Sequence, residues 1–183
     1  MDAAADPFDP VETVRLKLRC VRPGDAEHIS AMMTPAISRW VASWPVPFTP
    51  EMAAARIAVA LRAAETGRAL PFAVERRSDG ELLGWVSVNR DTAVSRCGVL
   101  GYWLGEEHHG CGYMREAAST AMATAFKRLD LAVIEAGAQP GNAASFAVLR
   151  ACGMILAGER RVFAPARNRD ELCLFYEIVR PAG

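Results

Sequence analysis

The most informative part of the sequence is GYWLGEEHHGCGYMREA, which runs from Gly101 to Ala117. An apolar strand ends near its start, a loop containing Gly110 and Gly112 follows, and an amphipathic helix then begins at once. Glycine lets the backbone approach a ligand closely and adopt a positive φ. The first turn of a helix offers unpaired amides and the positive end of its dipole. The stretch therefore predicts a binding site for a phosphate-bearing cofactor.

Spacing excludes the commoner phosphate loops. A dinucleotide fingerprint, G-x-G-x-x-G, would need a glycine where Arg115 stands. A P-loop needs Gly-Lys followed by Ser or Thr, and the sequence contains no such triplet. A kinase-type glycine loop is disfavoured as well, because no His-Arg-Asp or Asp-Phe-Gly follows.

What remains resembles motif A of the GNAT N-acetyltransferases, which bind acetyl-CoA. The match is Glu-His-His-Gly-Cys-Gly at Glu107–Gly112, where Glu107 replaces the family's glutamine or arginine. The residues on either side resemble the RimJ/RimL branch, which acetylates the N-termini of ribosomal proteins. A second block, from Asn142 to Met154, is similar to that branch's Asn-x-x-Ser…Leu…Gly-Phe segment, with Met154 in place of phenylalanine. The resemblance extends from Thr13 to Arg180.

Composition favours one globular domain. Of the 183 residues, 51% are hydrophobic and 8% aromatic, which is enough apolar material for a sizeable core. The formal net charge is zero, which argues against a general nucleic-acid binder. No apolar run is long enough to cross a bilayer. We therefore expect neither a direct nucleic-acid partner nor a membrane span.

The cysteines and the N-terminus indicate a cellular compartment. The five cysteines are widely spaced and form no C-x-x-C pair, which disfavours a disulfide framework or a zinc site. The first residues lack the basic and apolar regions of a signal peptide. Together these features predict a cytoplasmic protein.

The hydrophobic pattern predicts the element order β, α, α, β, β, β, α, β, α, β, β. Strands at both ends and a central βαβ unit imply a mixed sheet with helices on its faces, and this order matches the GNAT fold. We expect an α/β (α+β) fold with a GNAT-type, mostly antiparallel central sheet of about seven strands and about four flanking helices. Residues 1–12 are predicted to be a flexible N-terminal tail, and residues 13–183 a single N-acetyltransferase domain.

The resemblance also implies a cofactor site. Backbone groups of the fourth strand would hold the pantetheine arm and polarise the acetyl oxygen, and the loop amides would hold the diphosphate. The implied cofactor-binding residues are Tyr102, Trp103, Leu104, His108, His109, Gly110, Cys111, Gly112, Tyr113, Met114, Asn142 and Ser145.

Ser145 is the implied general acid for the departing CoA thiolate, although a first-turn serine can instead bond only to its own backbone. Asn142 is expected to cap the helix that carries Ser145. Cys111 lies near a helix start, which can lower a thiol pKa, but the acetyl group should lie at the far end of CoA. We therefore interpret Cys111 as a small loop residue.

The sequence predicts no metal. His108 and His109 are adjacent, so their side chains should diverge, and the only other histidine is His28. No single general base can be identified. The candidates are Glu75 and Glu135 on predicted strands and Glu106 and Glu107 beside the loop; a water chain, or the absence of any dedicated base, is the alternative.

The acceptor is the most open part of the interpretation. Trp40, Trp44 and Phe48 form either a wall of the acceptor site or a packed cover over the core, whereas Trp85 and Trp103 should be core residues. The leading hypothesis is direct acetyl transfer from acetyl-CoA to a protein N-terminal α-amino group in a ternary complex. The alternatives are an enzyme for small amines (antibiotics, polyamines or amino acids) and a non-catalytic acyl-CoA sensor. A homodimer stays open.

Overall fold

The computed structural model of the protein describes residues 7–181. The strands are β1 (Val11–Glu12), β2 (Leu16–Cys20), β3 (Ala69–Arg76), β4 (Leu82–Arg90), β5 (Cys97–Leu104), β6 (Val133–Ala138), β7 (Ile155–Ala164) and β8 (Arg169–Val179). The helices are α1 (Ala26–Met32), α2 (Pro35–Ser38), α3 (Pro50–Glu65), α4 (Tyr113–Arg128) and α5 (Ala143–Ala151). Short 3-10 turns occupy Pro23–Asp25 and Glu106–His108.

All eight strands form one sheet in the order β1-β2-β3-β4-β5-β6-β8-β7. Every neighbouring pair is antiparallel except β5 and β6, which are parallel and joined through α4. The prediction of a mixed, mostly antiparallel sheet is therefore confirmed. The structure adds one strand and one helix to the predicted set. Both β1 and α2 are too short for hydrophobic periodicity to reveal them.

The predicted tail is wrong where the structure describes it. Phe8 is only 6% exposed and packs edge-on against Phe72, with ring centroids 5.1 Å apart. Val11 and Glu12 pair with Leu18 and Lys17 of β2. Residues 8–12 thus belong to the fold, because one aromatic side chain and one edge pairing fix them. Residues 1–6 lie outside the described part of the chain.

The sheet separates two packed layers. Helices α4 and α5 cover one face, and α4 meets the sheet through an apolar stripe rich in small alanines. The amphipathic helix predicted after the glycine loop is confirmed, since the apolar residues of this stripe, from Met114 to Leu129, are buried. Helices α1 and α3 cover the other face. Thr49 caps α3 by accepting a hydrogen bond from the amide of Met52 at 3.3 Å.

No helix in residues 7–181 has the length and apolar character needed to cross a membrane.

Candidate functional site

The sheet opens between its two parallel strands. Strand β5 pairs with β6 only at Cys97, Gly98 and Val99. Beyond Val99 the strands diverge: β6 continues to pair with β8, while the rest of β5 pairs only with β4. The β6-facing edge of β5 from Leu100 to Leu104 therefore has no strand partner, and its backbone groups, apart from the Leu104 carbonyl, are available to a ligand.

The predicted loop lies at the mouth of this opening. Gly110 and Gly112 adopt positive φ values of 75° and 76°, and Gly112 is the N-cap of α4. A Cβ added at Gly110 would meet no atom within 4 Å. Within the described chain, the amides of residues 110–113 donate to no backbone carbonyl. Free amides at a helix start form an anion-binding site.

Arg15, which directly precedes β2, contacts this loop and helps to hold it in place. Nη1 of Arg15 donates to the carbonyl of Cys111 at 2.9 Å, and its guanidinium stacks 4.7 Å from the ring centre of Tyr113. Arg15 also pairs with Glu116 of α4 at 2.8 Å. Sequence reasoning missed Arg15, because its contact with the loop joins residues 96 positions apart. Arg115 lines an adjoining recess together with Arg15 and Glu116; because Glu116 balances the charge of Arg15, Arg115 supplies the net positive charge there.

A single cleft of about 1290 Å³ joins the opening to both faces of the sheet. All but one of the sequence-predicted cofactor residues line it. The exception is Cys111, whose exposed thiol points to the His109 carbonyl, 3.5 Å away. The lining residues from the predicted set are Tyr102, Trp103, Leu104, His108, His109, Gly110, Gly112, Tyr113, Met114, Asn142 and Ser145.

Ser145 is held in a small polar network. Its amide donates to Oδ1 of Asn142 at 3.1 Å, which confirms the predicted cap of α5. Its hydroxyl lies 2.8 Å from the phenolic oxygen of Tyr102, which projects from β5. Burial raises the pKa of Tyr102 above its ordinary value, and the hydrogen bond with Ser145 offsets only part of that rise. Tyr102 therefore stays protonated and can donate to Ser145, leaving the serine proton available.

The other half of the cleft is aromatic. The ring of Trp44 lies 5.1 Å from those of Phe48 and Trp103 and 5.5 Å from that of Trp85. These four residues are at most 7% exposed, yet all line the cleft. Trp44 and Phe48 thus both pack in the core and line the cleft, so the two interpretations of these residues, as a site wall or as a cover over the core, are compatible. The guanidinium of Arg56 stacks 4.3 Å from the Trp44 ring.

Trp40 forms part of the rim on this side. It is partly buried, and a Cβ added at Gly141 would approach its ring to 3.4 Å. Nearby, the side chain of Gln139 donates to the carbonyl of Arg39 at 3.3 Å. The segment before α3 and the turn before α5 therefore meet beside the opening.

Among the four candidate bases, Glu106 is the one that lines the cleft. The hydroxyl of Thr34 donates a short hydrogen bond to its carboxylate. Glu75 is instead paired with buried Arg19 at 2.6 Å, and Glu135 forms an ion pair with Arg160. Glu107 lies beside His108.

The adjacent histidines diverge, as expected. Nε2 of His109 lies 3.0 Å from the Leu104 carbonyl, so a protonated Nε2 would donate to it and tie the loop to the end of β5. The side chain of His108 turns the other way and is 6% exposed.

Comparison with known proteins identifies a family. Residues 15–155 match the family described as "Acetyltransferase (GNAT) domain". Over 91 residues the chain is 35% identical to "Probable N-acetyltransferase YjcK" of Bacillus subtilis (strain 168), an alignment that spans 49% of this chain and 50% of YjcK. The match thus covers about half the length of that curated relative.

Two solved structures are similar over nearly the whole chain. Mycobacterium smegmatis RimJ, solved in complex with CoA-disulfide, is 25% identical with a TM-score of 0.83 and covers 95% of this chain and 89% of its own. The ribosomal-protein-S5-alanine acetyltransferase of Vibrio fischeri is 26% identical with a TM-score of 0.78 and covers 94% of this chain and 97% of its own.

Proposed function

This chain belongs to the GNAT acetyltransferase family, and from that premise we propose that it transfers the acetyl group of acetyl-CoA to the N-terminal α-amino group of a protein. One observation carries the proposal: the cleft runs from an amide-lined loop, past the free edge of β5, to an aromatic chamber. Such a cleft can hold a cosubstrate and an acceptor together, which direct transfer requires.

The cosubstrate supplies an activated acyl group as a thioester. We assign the diphosphate to the amides of Gly110, Gly112 and Tyr113, because they are free and lie at the positive end of α4. Arg115 adds positive charge beside that loop, whereas the charge of Arg15 is balanced by Glu116. The free backbone of β5 from Tyr102 to Leu104 would align the pantetheine arm and donate to the acetyl oxygen.

Ser145 is the proposed proton donor to the leaving sulfur. When the acceptor nitrogen bonds to the acyl carbon and the carbon–sulfur bond breaks, the thiolate takes a proton from the serine hydroxyl. Tyr102 holds that hydroxyl and can return a proton to it, because its phenol lies 2.8 Å away. Asn142 fixes the backbone of Ser145 and thereby its direction.

The amine would arrive from the aromatic chamber. It must lose its proton to become nucleophilic, and our candidate for the group that accepts this proton is Glu106, because it lines the cleft. A protein N-terminus is favoured as acceptor because the Vibrio fischeri relative is named for acetylating a ribosomal protein. Zero net charge speaks against a nucleic-acid partner. We place the reaction in the cytoplasm, where all five cysteines would stay as the free thiols that the structure has.

The test is a thiol-release assay on the purified protein. Acetyl-CoA is incubated with peptides that have free N-termini, the same peptides with blocked N-termini, and a panel of small amines. We expect release only with free N-terminal peptides. Release with small amines alone would assign the enzyme to that acceptor class. Tight CoA binding without release across the panel would make the protein a sensor.

A further inference from the structure

A cluster beside the loop has no part in the proposed acetyl transfer. Within the described chain, ligand atoms of Glu81, Glu107 and His108 all lie within 4.8 Å of one another. Glu81 lies just before β4, whereas Glu107 and His108 belong to the turn that leads into the loop. The proposed reaction uses neither of these carboxylates.

The imidazole is the unusual member of this cluster. The side chain of His108 is 6% exposed, and its Nε2 has no hydrogen-bond partner among the described residues. That nitrogen faces Oε1 of Glu107 at 3.4 Å and Oε1 of Glu81 at 3.6 Å. A buried polar nitrogen without a partner is unfavourable and needs an explanation.

The negative charges of the two carboxylates are also only partly balanced by positively charged side chains. Oε2 of Glu81 pairs with Arg76, which leaves Oε1 turned to His108. Glu107 has no lysine or arginine partner in the described chain. Arg76 is itself shared with Asp79 at 2.9 Å. Two carboxylate oxygens and one imidazole nitrogen therefore converge on one point, and within residues 7–181 the only arginine or lysine paired with either carboxylate is Arg76, on Oε2 of Glu81.

We propose that Glu81, Glu107 and His108 bind a divalent transition-metal ion. One nitrogen and two carboxylate oxygens at this mutual spacing suit Zn²⁺ and its first-row neighbours, whereas Mg²⁺ prefers oxygen ligands alone. The exposed sides of Glu81 and Glu107 (43% and 72%) let water complete the coordination. The ion would link the β3–β4 turn to the segment that precedes Gly110.

This proposal departs from the expectation of no metal. That expectation considered His108 with His109, whose side chain turns away to Leu104. The acid that completes the set, Glu81, comes from a different strand connection. No spacing pattern within one segment could have revealed it.

The test is calorimetric titration of the purified protein with Zn²⁺, without acetyl-CoA or acceptor, so its outcome is independent of the proposed function. We expect one saturable site. Because His108 is buried and its replacement could unfold the chain, the test variant is Glu81→Gln/Glu107→Gln at the exposed carboxylates. Loss of these direct ligands should weaken binding at least about tenfold, by analogy with losses at outer-shell groups.

Matched controls are Glu106→Gln, at the neighbouring acid, and His109→Asn, at the neighbouring imidazole. Both should keep the wild-type affinity for Zn²⁺, and Mg²⁺ should bind far more weakly. Co²⁺ should give a visible ligand-field spectrum that disappears in the double variant. Equal Zn²⁺ affinity in the wild type and the double variant, or no measurable binding at all, would overturn the proposal.

Discussion

The phenolic oxygen of Tyr102 lies 2.8 Å from the hydroxyl oxygen of Ser145, and this contact spans the opening between β5 and the start of α5. The same phenol lies 3.3 Å from the Ser145 carbonyl. A hydrogen bond between two hydroxyl groups thus joins a strand residue to a helix residue. In the proposed reaction, this contact lets the edge of β5 and helix α5 act together on the leaving sulfur.

Replacing Ser145 by alanine should lower turnover by about 100-fold, because the thiolate loses its proton donor. Affinity for CoA should be preserved, since the loop amides are untouched. Steady-state kinetics together with CoA calorimetry separate the two effects. Ser119→Ala, at a serine of α4 that bonds to Cys152, is the matched control and should retain wild-type turnover. Unaltered turnover in Ser145→Ala would leave that serine a structural role only.

Tyr102→Phe should lower turnover less than Ser145→Ala, because the serine proton remains while its orientation is lost. The double variant should be no slower than Ser145→Ala alone. Such non-additivity corresponds to an interaction energy of about 0.5–3 kcal/mol. A double-mutant cycle on kcat measures it. Strictly additive losses would show that the two hydroxyls act separately.

Gly110→Ala should weaken CoA binding by at least about tenfold, because its Cβ would stand where the phosphates approach and its positive φ becomes strained. The fold should survive, since a Cβ there meets no protein atom within 4 Å. Gly67→Ala is the matched control: Gly67 has a φ of 65° and equally open surroundings, but it follows α3. Both variants should lose similar stability, and only Gly110→Ala should lose affinity by calorimetry.

The local signals explain how much of this site could be predicted. Three features can be predicted from residues that are close together in the sequence: the glycine pair Gly110 and Gly112, the apolar stripe of α4 and the helix cap at Asn142. The structure confirms the stripe, the cap and both positive φ values. Each of these features depends on neighbours along the chain, which a single sequence displays directly.

The remaining contacts join distant parts of the chain. Tyr102 and Ser145, whose hydroxyls are in contact, are 43 positions apart in the sequence, and Arg15 and Cys111 are 96 positions apart. Alternation indicates which strand residues share a face, but it cannot say which partner from another element meets them. For the same reason, the sequence cannot distinguish Glu106 from Glu107 as a candidate base. Only the geometry of the turn decides which of the two carboxylates lines the cleft.

Glu106→Gln should reduce kcat/KM by about 100-fold near neutral pH, because an amide cannot take the proton from the acceptor ammonium. Supplying peptide at higher pH should recover part of the activity, since more of the amine is then already neutral. Glu65→Gln, at an exposed acid at the end of α3, is the control for loss of one charge. A pH–rate profile that is identical for wild type and Glu106→Gln would assign the proton to water instead.

The segment around Trp40 is anchored by an ion pair, Arg167–Glu171, whose contribution to stability should weaken in acid. Arg167 binds both oxygens of Glu171 at 2.7 Å and donates to the carbonyl of Ser38 at 2.8 Å. Hydrogen bonds from Arg167 lower the pKa of Glu171 to about 2. The stabilisation is therefore fully present above the ordinary carboxyl pKa of about 4.3 and is lost as the pH falls through about 2.

Glu171→Gln should lower the free energy of unfolding by about 1–2 kcal/mol at pH 7, because the bonds to Arg167 lose their charge. The difference from wild type should shrink steadily from about pH 5 to about pH 2, where the native carboxyl also becomes neutral. Urea unfolding followed by tryptophan fluorescence at several pH values measures it. Glu159→Gln, at an exposed position of the same hairpin, should show little effect at any pH. A Glu171→Gln difference that does not change with pH would mean that the carboxylate charge adds nothing to the anchoring of this segment.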